Sequence, residues 1–380
     1  MRVYLDNAAT TAIDPAVLEA MMPYLTQHFG NPSSIHTHGR EVRAAIERSR
    51  KKVADLLNVS PAEIFFTSTG TEADNMALRS SVDTFGVERI ITTKIEHHAV
   101  LHTVEMLVHK GVEVVYLTLD GRGNFSYEEL SELLQQKKKT LVSLMHANNE
   151  IGNLQDIERT GNLCKETGAL FHSDTVQTMG HYVHDFDKLH VDFAVGSAHK
   201  FHGPKGIGFI YMSHRNKLNP FIFGGSQERN MRGGTENVYG IVGIAKALEM
   251  AYADMAHHQK QIQGLKDRMI GKLKASIDGV AFNGNAEDAD RCLYTVLNVC
   301  LPPSDDNDML LFNLDINGVS CSGGSACTSG SNIGSHVLAE LDRDQSRGAI
   351  RFSFSKYNTE ADVDFAVEKL AALYQGVRVS

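Results

Sequence analysis

Seven short apolar runs constrain this chain more than any other feature: Ile64 to Thr67, Ile90 to Thr93, Val112 to Leu117, Leu141 to His146, Ala169 to His172, Phe193 to Gly196 and Ile207 to Tyr211. Runs of this length, rich in β-branched residues and bounded by turn residues, read as buried strands. Helical spacing fills most of the gaps, over Thr71 to Arg79, His98 to His109, Tyr127 to Gln136 and Asp156 to Thr167. Strands alternating with helices predict an α/β fold with a mainly parallel seven-stranded sheet covered on both faces, whose ligand site lies at the carboxyl ends of the strands. Upstream, Asp14-Pro15 starts a helix that Phe29-Gly30-Asn31-Pro32 stops. After Glu236 the pattern changes to two long helices, Val238 to His257 and His258 to Ser276, and then to a mixture: strand Tyr294 to Val299, helix Asn307 to Asn317, strand Val319 to Ser322, helix Ser335 to Leu341, strand Ala349 to Phe354 and helix Thr359 to Tyr374.

At 380 residues the chain is longer than one hydrophobic core usually serves. We therefore expect a large domain over 15–256 and a smaller α+β domain formed by 1–14 and 257–380, with no linker between them. A formal net charge of −9 without a Lys/Arg stripe argues against nucleic acid and anionic membranes as partners. The run Lys137-Lys138-Lys139 reads as a solvated helix end. Strand sequence begins at Met1-Arg2-Val3-Tyr4, and no apolar stretch reaches the ~18 residues of a membrane span, so a cytoplasmic protein is expected. The cysteines, Cys164, Cys292, Cys300, Cys321 and Cys327, are odd in number and lack paired spacing, which argues against a disulfide framework and a Cys-x-x-Cys metal site.

Cys327 differs from the others. It sits in Ser322-Gly323-Gly324-Ser325-Ala326-Cys327-Thr328-Ser329-Gly330, among small residues that pack poorly and leave a sulfur able to move, the setting of a reactive thiol. Lys200, in Ser197-Ala198-His199-Lys200, follows an apolar strand, where a lysine can hold pyridoxal phosphate as a Schiff base. Gly70 and Thr71 put backbone N–H groups and a hydroxyl at a helix start, which suits a phosphate, although Thr71 alone also reads as a cap. Asp174 follows another strand and is either a turn residue or the partner of a protonated ring nitrogen. His97 opens a helix where an imidazole could lie over an aromatic ring and move protons. The His97-His98 and His199/His202 groups lack a metal-ligand pattern such as His-Glu-x-x-His, so no resident metal is expected, beyond transient ligation of a cluster or metal by Cys327. Arg351 is charged within an apolar strand and needs a fixed anion, either a substrate carboxylate or a structural salt bridge.

With these residues in hand, the chain resembles a cysteine desulfurase of the NifS/IscS type, within the fold type I pyridoxal phosphate enzymes of the class V aminotransferase family. The likeness runs from Tyr4-Leu5-Asp6-Asn7-Ala8-Ala9-Thr10-Thr11 to Ile350-Arg351-Phe352-Ser353, through Gly30-Asn31-Pro32-Ser33-Ser34, Gly70-Thr71-Glu72, Glu96-His97, Asn148-Asn149-Glu150-Ile151-Gly152, Gly233-Gly234-Thr235-Glu236-Asn237 and Gly324-Ser325-Ala326-Cys327. It implies that Lys200 holds pyridoxal 5'-phosphate and moves protons, Asp174 pairs with the ring nitrogen, His97 stacks on the ring and Gln177 bonds its phenolic oxygen. Gly70, Thr71, Ser197 and His199 would hold the phosphate, Asn149 and Arg351 the substrate carboxylate, and Cys327 would accept sulfur. Thr235 is similar to a residue that reaches the phosphate from the second subunit of a homodimer. Here Ser322-Gly323-Gly324 stands where the family often has Ser-Ser-Gly, and Cys321 is an additional nearby thiol.

The implied activity converts L-cysteine to L-alanine and leaves a persulfide on the enzyme for an acceptor protein, such as an iron–sulfur scaffold, or for tRNA thiolation. A selenocysteine lyase or another fold type I enzyme would share Lys200, Asp174 and Arg351, with Cys327 separating them. A non-enzymatic scaffold would need neither Lys200 nor Cys327.

Overall fold

The computed structural model of the chain describes residues 1–304, 307–323, 334–344 and 346–374. Cys327 therefore lies outside the described residues. The strands, in chain order, are β1 (Val3–Tyr4), β2 (Ile64–Thr67), β3 (Arg89–Thr92), β4 (Glu113–Tyr116), β5 (Thr140–Ser143), β6 (Leu170–Ser173), β7 (Phe193–Ser197), β8 (Gly208–Met212), β9 (Ala281–Phe282), β10 (Val296–Pro303), β11 (Val319–Ser320) and β12 (Arg347–Ser353). A seven-stranded sheet has the order β2-β8-β7-β6-β5-β3-β4. Every neighbouring pair in it is parallel except those made by β8, which runs antiparallel to both β2 and β7.

All seven expected strands form, with ends displaced by no more than a few residues. Strands such as β5 and β7 are buried at every position, which is why they read as unbroken apolar runs and not as alternating ones. Helices cover both faces. Gly70–Phe85 ends at Gly86 and Ile157–Thr167 at Gly168, each glycine in the left-handed conformation that a helix C-cap requires.

Two differences from the sequence reading have local causes. A 20-residue helix, Thr37–Leu56, was not expected. Its N-cap is His36, whose ring accepts from Gly39 N, and its buried stripe includes Ala45, Ser49 and Arg50, so neither a Ser/Asp cap nor a fully apolar face announces it. The long helices also divide earlier than expected, as Val238–Ala253 and Met255–Ser276, because Asp254 leaves helical geometry.

The apolar interior separates into clusters. One under the large sheet includes Val17, Phe66, Phe171, Phe209 and Leu248. Another joins Val3 and Leu5 to Leu265, Leu297, Phe352 and Leu370, so the first residues pack with the last hundred. There β1 pairs in parallel with β11, and β12-β10-β9 form an antiparallel sheet. The N-terminal segment thus passes from this second cluster to the carboxyl edge of the large sheet.

Candidate active site

The carboxyl ends of β2, β6 and β7 open onto a cavity of about 240 Å³. Ten of the residues singled out from the sequence line it: Gly70, Thr71, His97, Asn149, Asp174, Gln177, Ser197, His199, Lys200 and Arg351. Local structure explains each placement. β7 ends at Ser197 and tightens into a short 3-10 turn, Ala198–Lys200, which turns Lys200 back over the sheet. There Lys200 Nζ donates to the carbonyls of Ala8 at 2.5 Å and Ala9 at 3.0 Å. Asp174 follows β6, and its Oδ1 accepts from Val176 N at 2.9 Å.

At the opposite wall Thr69 caps the helix Gly70–Phe85 by accepting from Glu72 N, and the first-turn N–H groups of Gly70 and Thr71, which have no intrahelical partners, belong to the cavity lining. A Cβ on Gly70 would come within 2.8 Å of Val176 Cγ2, so this cradle has no room for a side chain. His97 caps the helix His98–Val108, its Nδ1 accepting from Ala99 N at 3.1 Å, which leaves the proton of the neutral ring on Nε2. Gln177 donates to Ala8 O at 3.1 Å, and the His199 ring meets Thr10 Oγ1 at 3.2 Å.

Burial dominates the electrostatics. It raises the Asp174 carboxyl above its ordinary range, against the opposing N–H of Val176 and the charge of Lys200. His97 is pulled down to about 4, first by burial and then by the charges of Lys200, His336 and His102, and His199 is likewise held at about 4. Both imidazoles are therefore neutral at pH 7. A carboxyl oxygen able to accept from a cationic ring N–H, a lysine within reach, a flat neutral imidazole and a side-chain-free helix start together fit pyridoxal phosphate, with its phosphate at Gly70 and Thr71 and its ring nitrogen at Asp174.

Thr235 lies elsewhere. It borders a separate cleft with Ser68, Gly206, Glu228 and Arg232. Several supporting residues escaped the sequence reading. The Ala8 and Ala9 carbonyls, Asp6 and Asp74 all support or line the site. Glu72 pairs with Arg232 at 2.8 Å and accepts from Ser68 N, bracing the Gly70 helix start; the Thr69-x-x-Glu72 capping spacing is a visible signal for it. Glu228 forms a buried two-pronged pair with Arg50 at 2.7 and 2.8 Å, within three successive left-handed residues, Glu228, Arg229 and Asn230, and nothing local in the sequence marks it. Among the described residues no three His, Cys, Asp or Glu side chains converge as metal ligands, and no helix is long and apolar enough to cross a membrane.

Comparison with known proteins agrees with this geometry. The chain is 42% identical over 381 residues to a cysteine desulfurase IscS of Dictyoglomus turgidum, covering 99% of this chain and 95% of the relative. It is 43% identical to a putative cysteine desulfurase IscS 1 of Bacillus subtilis, covering 97% and 98% of the two chains. Among solved structures, a NifS-like protein superposes with a TM-score of 0.91 at 40% identity over 99% of this chain and all of that one. SspA in complex with cysteine superposes at 0.81 and 32% identity, over 94% and 100% of the two chains. The family model described as Aminotransferase class-V matches residues 3–365, so the chain belongs to the class-V aminotransferase family.

Proposed function

We propose that this chain is a pyridoxal-phosphate-dependent cysteine desulfurase: L-cysteine and an enzyme thiol give L-alanine and an enzyme persulfide. The observation that carries the reading is the single cavity that gathers Lys200, Asp174, His97, the Gly70-Thr71 helix start and Arg351. Lys200 would hold the cofactor's aldehyde carbon, Asp174 its ring nitrogen, His97 the ring face, Gln177 the phenolic oxygen, and Gly70, Thr71, Ser197 and His199 the phosphate. When bound, the cofactor supplies an electron sink for the bond changes at the substrate α-carbon.

The chain's own groups supply the rest. Arg351 and Asn149 orient the amino-acid carboxylate, and Lys200, once released from the cofactor, removes the α-proton and returns it. The Cys327 thiolate attacks the substrate sulfur; the new S–S bond forms as the substrate C–S bond breaks, and the carbon skeleton leaves as alanine after taking up a proton. The role of Cys327 rests on its small-residue sequence setting. Neutral His97, with its proton on Nε2, can donate a hydrogen bond within the cavity but is not a cationic acid at pH 7.

Three further assignments belong to the same proposal. The chain divides into a large domain, 15–256, and a small one, 1–14 with 257–380, supported by the separate apolar clusters. It acts as a homodimer in which Thr235 serves the partner's phosphate site, supported by the position of Thr235 outside its own chain's cavity. It works in the cytoplasm and passes sulfur to an acceptor protein such as an iron–sulfur scaffold; the free thiols of Cys164, Cys292, Cys300 and Cys321 suit a reducing compartment.

The test is turnover of L-cysteine with a reductant present. Alanine and sulfide should form in equal amounts, and Lys200→Ala should abolish both together with the borohydride-reducible cofactor link. Cofactor-loaded protein that releases no alanine overturns the reading. A monomer by light scattering that still holds cofactor overturns the assignment of Thr235.

A further inference from the structure

Arg351 already has an anionic partner inside the protein. It is almost fully buried; its Nη2 donates to Asp6 Oδ1 at 2.7 Å and its Nη1 to the Asn149 carbonyl at 2.8 Å, while Nε is buried without a hydrogen-bond partner. The same Asp6 oxygen accepts from Ser322 Oγ at 2.8 Å. Ser322 and Arg351 also exchange backbone hydrogen bonds, Ser322 N to Arg351 O at 3.2 Å and Arg351 N to Ser322 O at 2.6 Å. Asp6 is fixed from its own segment as well, because Ser353 N donates to Leu5 O at 2.7 Å and Asp6 bridges Ser353. One carboxylate oxygen thus ties together the N-terminal segment, β12 and the residue that follows Cys321.

Arg351 lines the cavity and Asp6 does not. A lone arginine at a cavity wall has a long stem with several rotamers, and a ligand that must fix it loses part of its binding free energy to side-chain entropy. Asp6 does that work beforehand. It also subtracts positive potential from the site, so the two effects oppose each other. The geometry decides between them, because the contacts to Asn149 and Asp6 each use one N–H, of Nη1 and Nη2, and leave the second N–H of both nitrogens for a further anion.

We propose that Asp6, oriented by the Ser322 hydroxyl, is a positioning residue for the carboxylate of the amino-acid substrate, acting through Arg351. The inference rests on the reading of Arg351 as the carboxylate-binding residue. Its test uses the cofactor-loaded enzyme and the variants Asp6→Ala, Asp6→Asn and Arg351→Lys, with KM and kcat for L-cysteine and the affinity for L-alanine followed by the absorbance of the bound cofactor. Asp6→Ala should raise KM about tenfold and weaken L-alanine to a similar degree while kcat falls less than about threefold, the size expected for one lost charge-assisted hydrogen bond. Asp6→Asn keeps an oxygen acceptor in place and should restore KM to within about threefold.

A purely structural role would instead lower kcat and cofactor content together and leave KM alone, and that result overturns the proposal. An unchanged KM in Asp6→Ala also overturns it when Arg351→Lys raises KM. Unchanged kinetics in Arg351→Lys removes the underlying reading instead. If Asp6→Ala does not fold, Ser322→Ala decides: loss of the orienting hydroxyl should raise KM about threefold, and an unchanged KM rejects the proposal.

Discussion

The guanidinium of Arg351 donates to the main-chain carbonyl of Asn149 at 2.8 Å, which bonds to each other the two residues assigned to the substrate carboxylate. The loop Asn148–Gly152 is itself held by Asn148, whose Oδ1 accepts from Glu150 N and Ile151 N. Replacing Arg351 by lysine leaves a point charge that cannot serve Asp6, Asn149 and a planar carboxylate from one fork. Arg351→Lys should raise KM for L-cysteine at least about tenfold, while the visible absorbance of the bound cofactor stays unchanged. Steady-state kinetics and a spectrum of the same preparation check it.

A second prediction concerns stability. Arg50 and Glu228 each have side chains only 3% exposed, and Glu228 also accepts from Phe66 N at 2.8 Å, so this pair anchors the helix Thr37–Leu56 to β2 and to the left-handed turn that precedes Thr235. Removing the Glu228 charge leaves Arg50 buried beside the half-exposed Glu47. Glu228→Gln should therefore destabilise the fold by about 3 kcal/mol, the lower end for a broken buried pair. Denaturant unfolding measures it, and a change below about 1 kcal/mol would show that Glu47 takes over.

Much of the architecture was legible because parallel strands buried on both faces announce themselves as apolar runs, and the ligand site of such a sheet is fixed by topology. Lys200, Asp174 and the Gly70 helix start stand out for that reason: each comes within three residues of a strand end, at Ser197, Ser173 and Thr67. Arg351 stands out as a charge in an apolar strand; of its two readings the structure shows the salt bridge, to Asp6, and it leaves the guanidinium at the cavity wall, where the substrate-carboxylate reading is a proposal. Asp6 itself was invisible because its partner is far away in sequence. The same holds for Arg50 with Glu228 and for the Ala8 carbonyl with Lys200, where backbone atoms carry no sequence signal at all.

The third prediction is a pH dependence. Glu96 is almost fully buried, accepts from Met145 N at 3.0 and 3.1 Å, and is pushed up to about 8, first by burial and then by the neighbouring Asp174. A carboxyl raised in the fold favours the folded state fully below its unfolded value near 4.5, and that contribution is lost as pH rises through about 8. Glu96→Gln mimics the protonated form. Its melting temperature should match the parent near pH 4 and exceed it near pH 8, the stability difference widening by up to about 1.4 kcal/mol per pH unit between. Scanning calorimetry at both pH values tests this; equal melting temperatures at pH 8 would mean that Glu96 is already ionised in the fold.

The last prediction separates two thiols. Cys321 lies between β11 and Ser322, and its thiol is pushed up to about 12 by burial, with the Asp6 charge adding to the effect and Arg351 opposing it. At neutral pH it is a thiol, a poor nucleophile. Cys327, among glycines, serines and alanine, lies outside the described residues, and its sequence setting is that of a thiol free to meet first a substrate sulfur and then an acceptor. Cys327→Ala should keep its colour and still bind L-cysteine, yet release almost no alanine. Cys321→Ala should keep most of its turnover. After incubation with L-cysteine, mass spectrometry of tryptic peptides should find one added sulfur on Cys327 alone in the parent protein. Sulfur on Cys321 with normal alanine yield in Cys327→Ala would mean that the buried thiol reaches the thiolate state during turnover, and the assignment of the acceptor would then pass to Cys321.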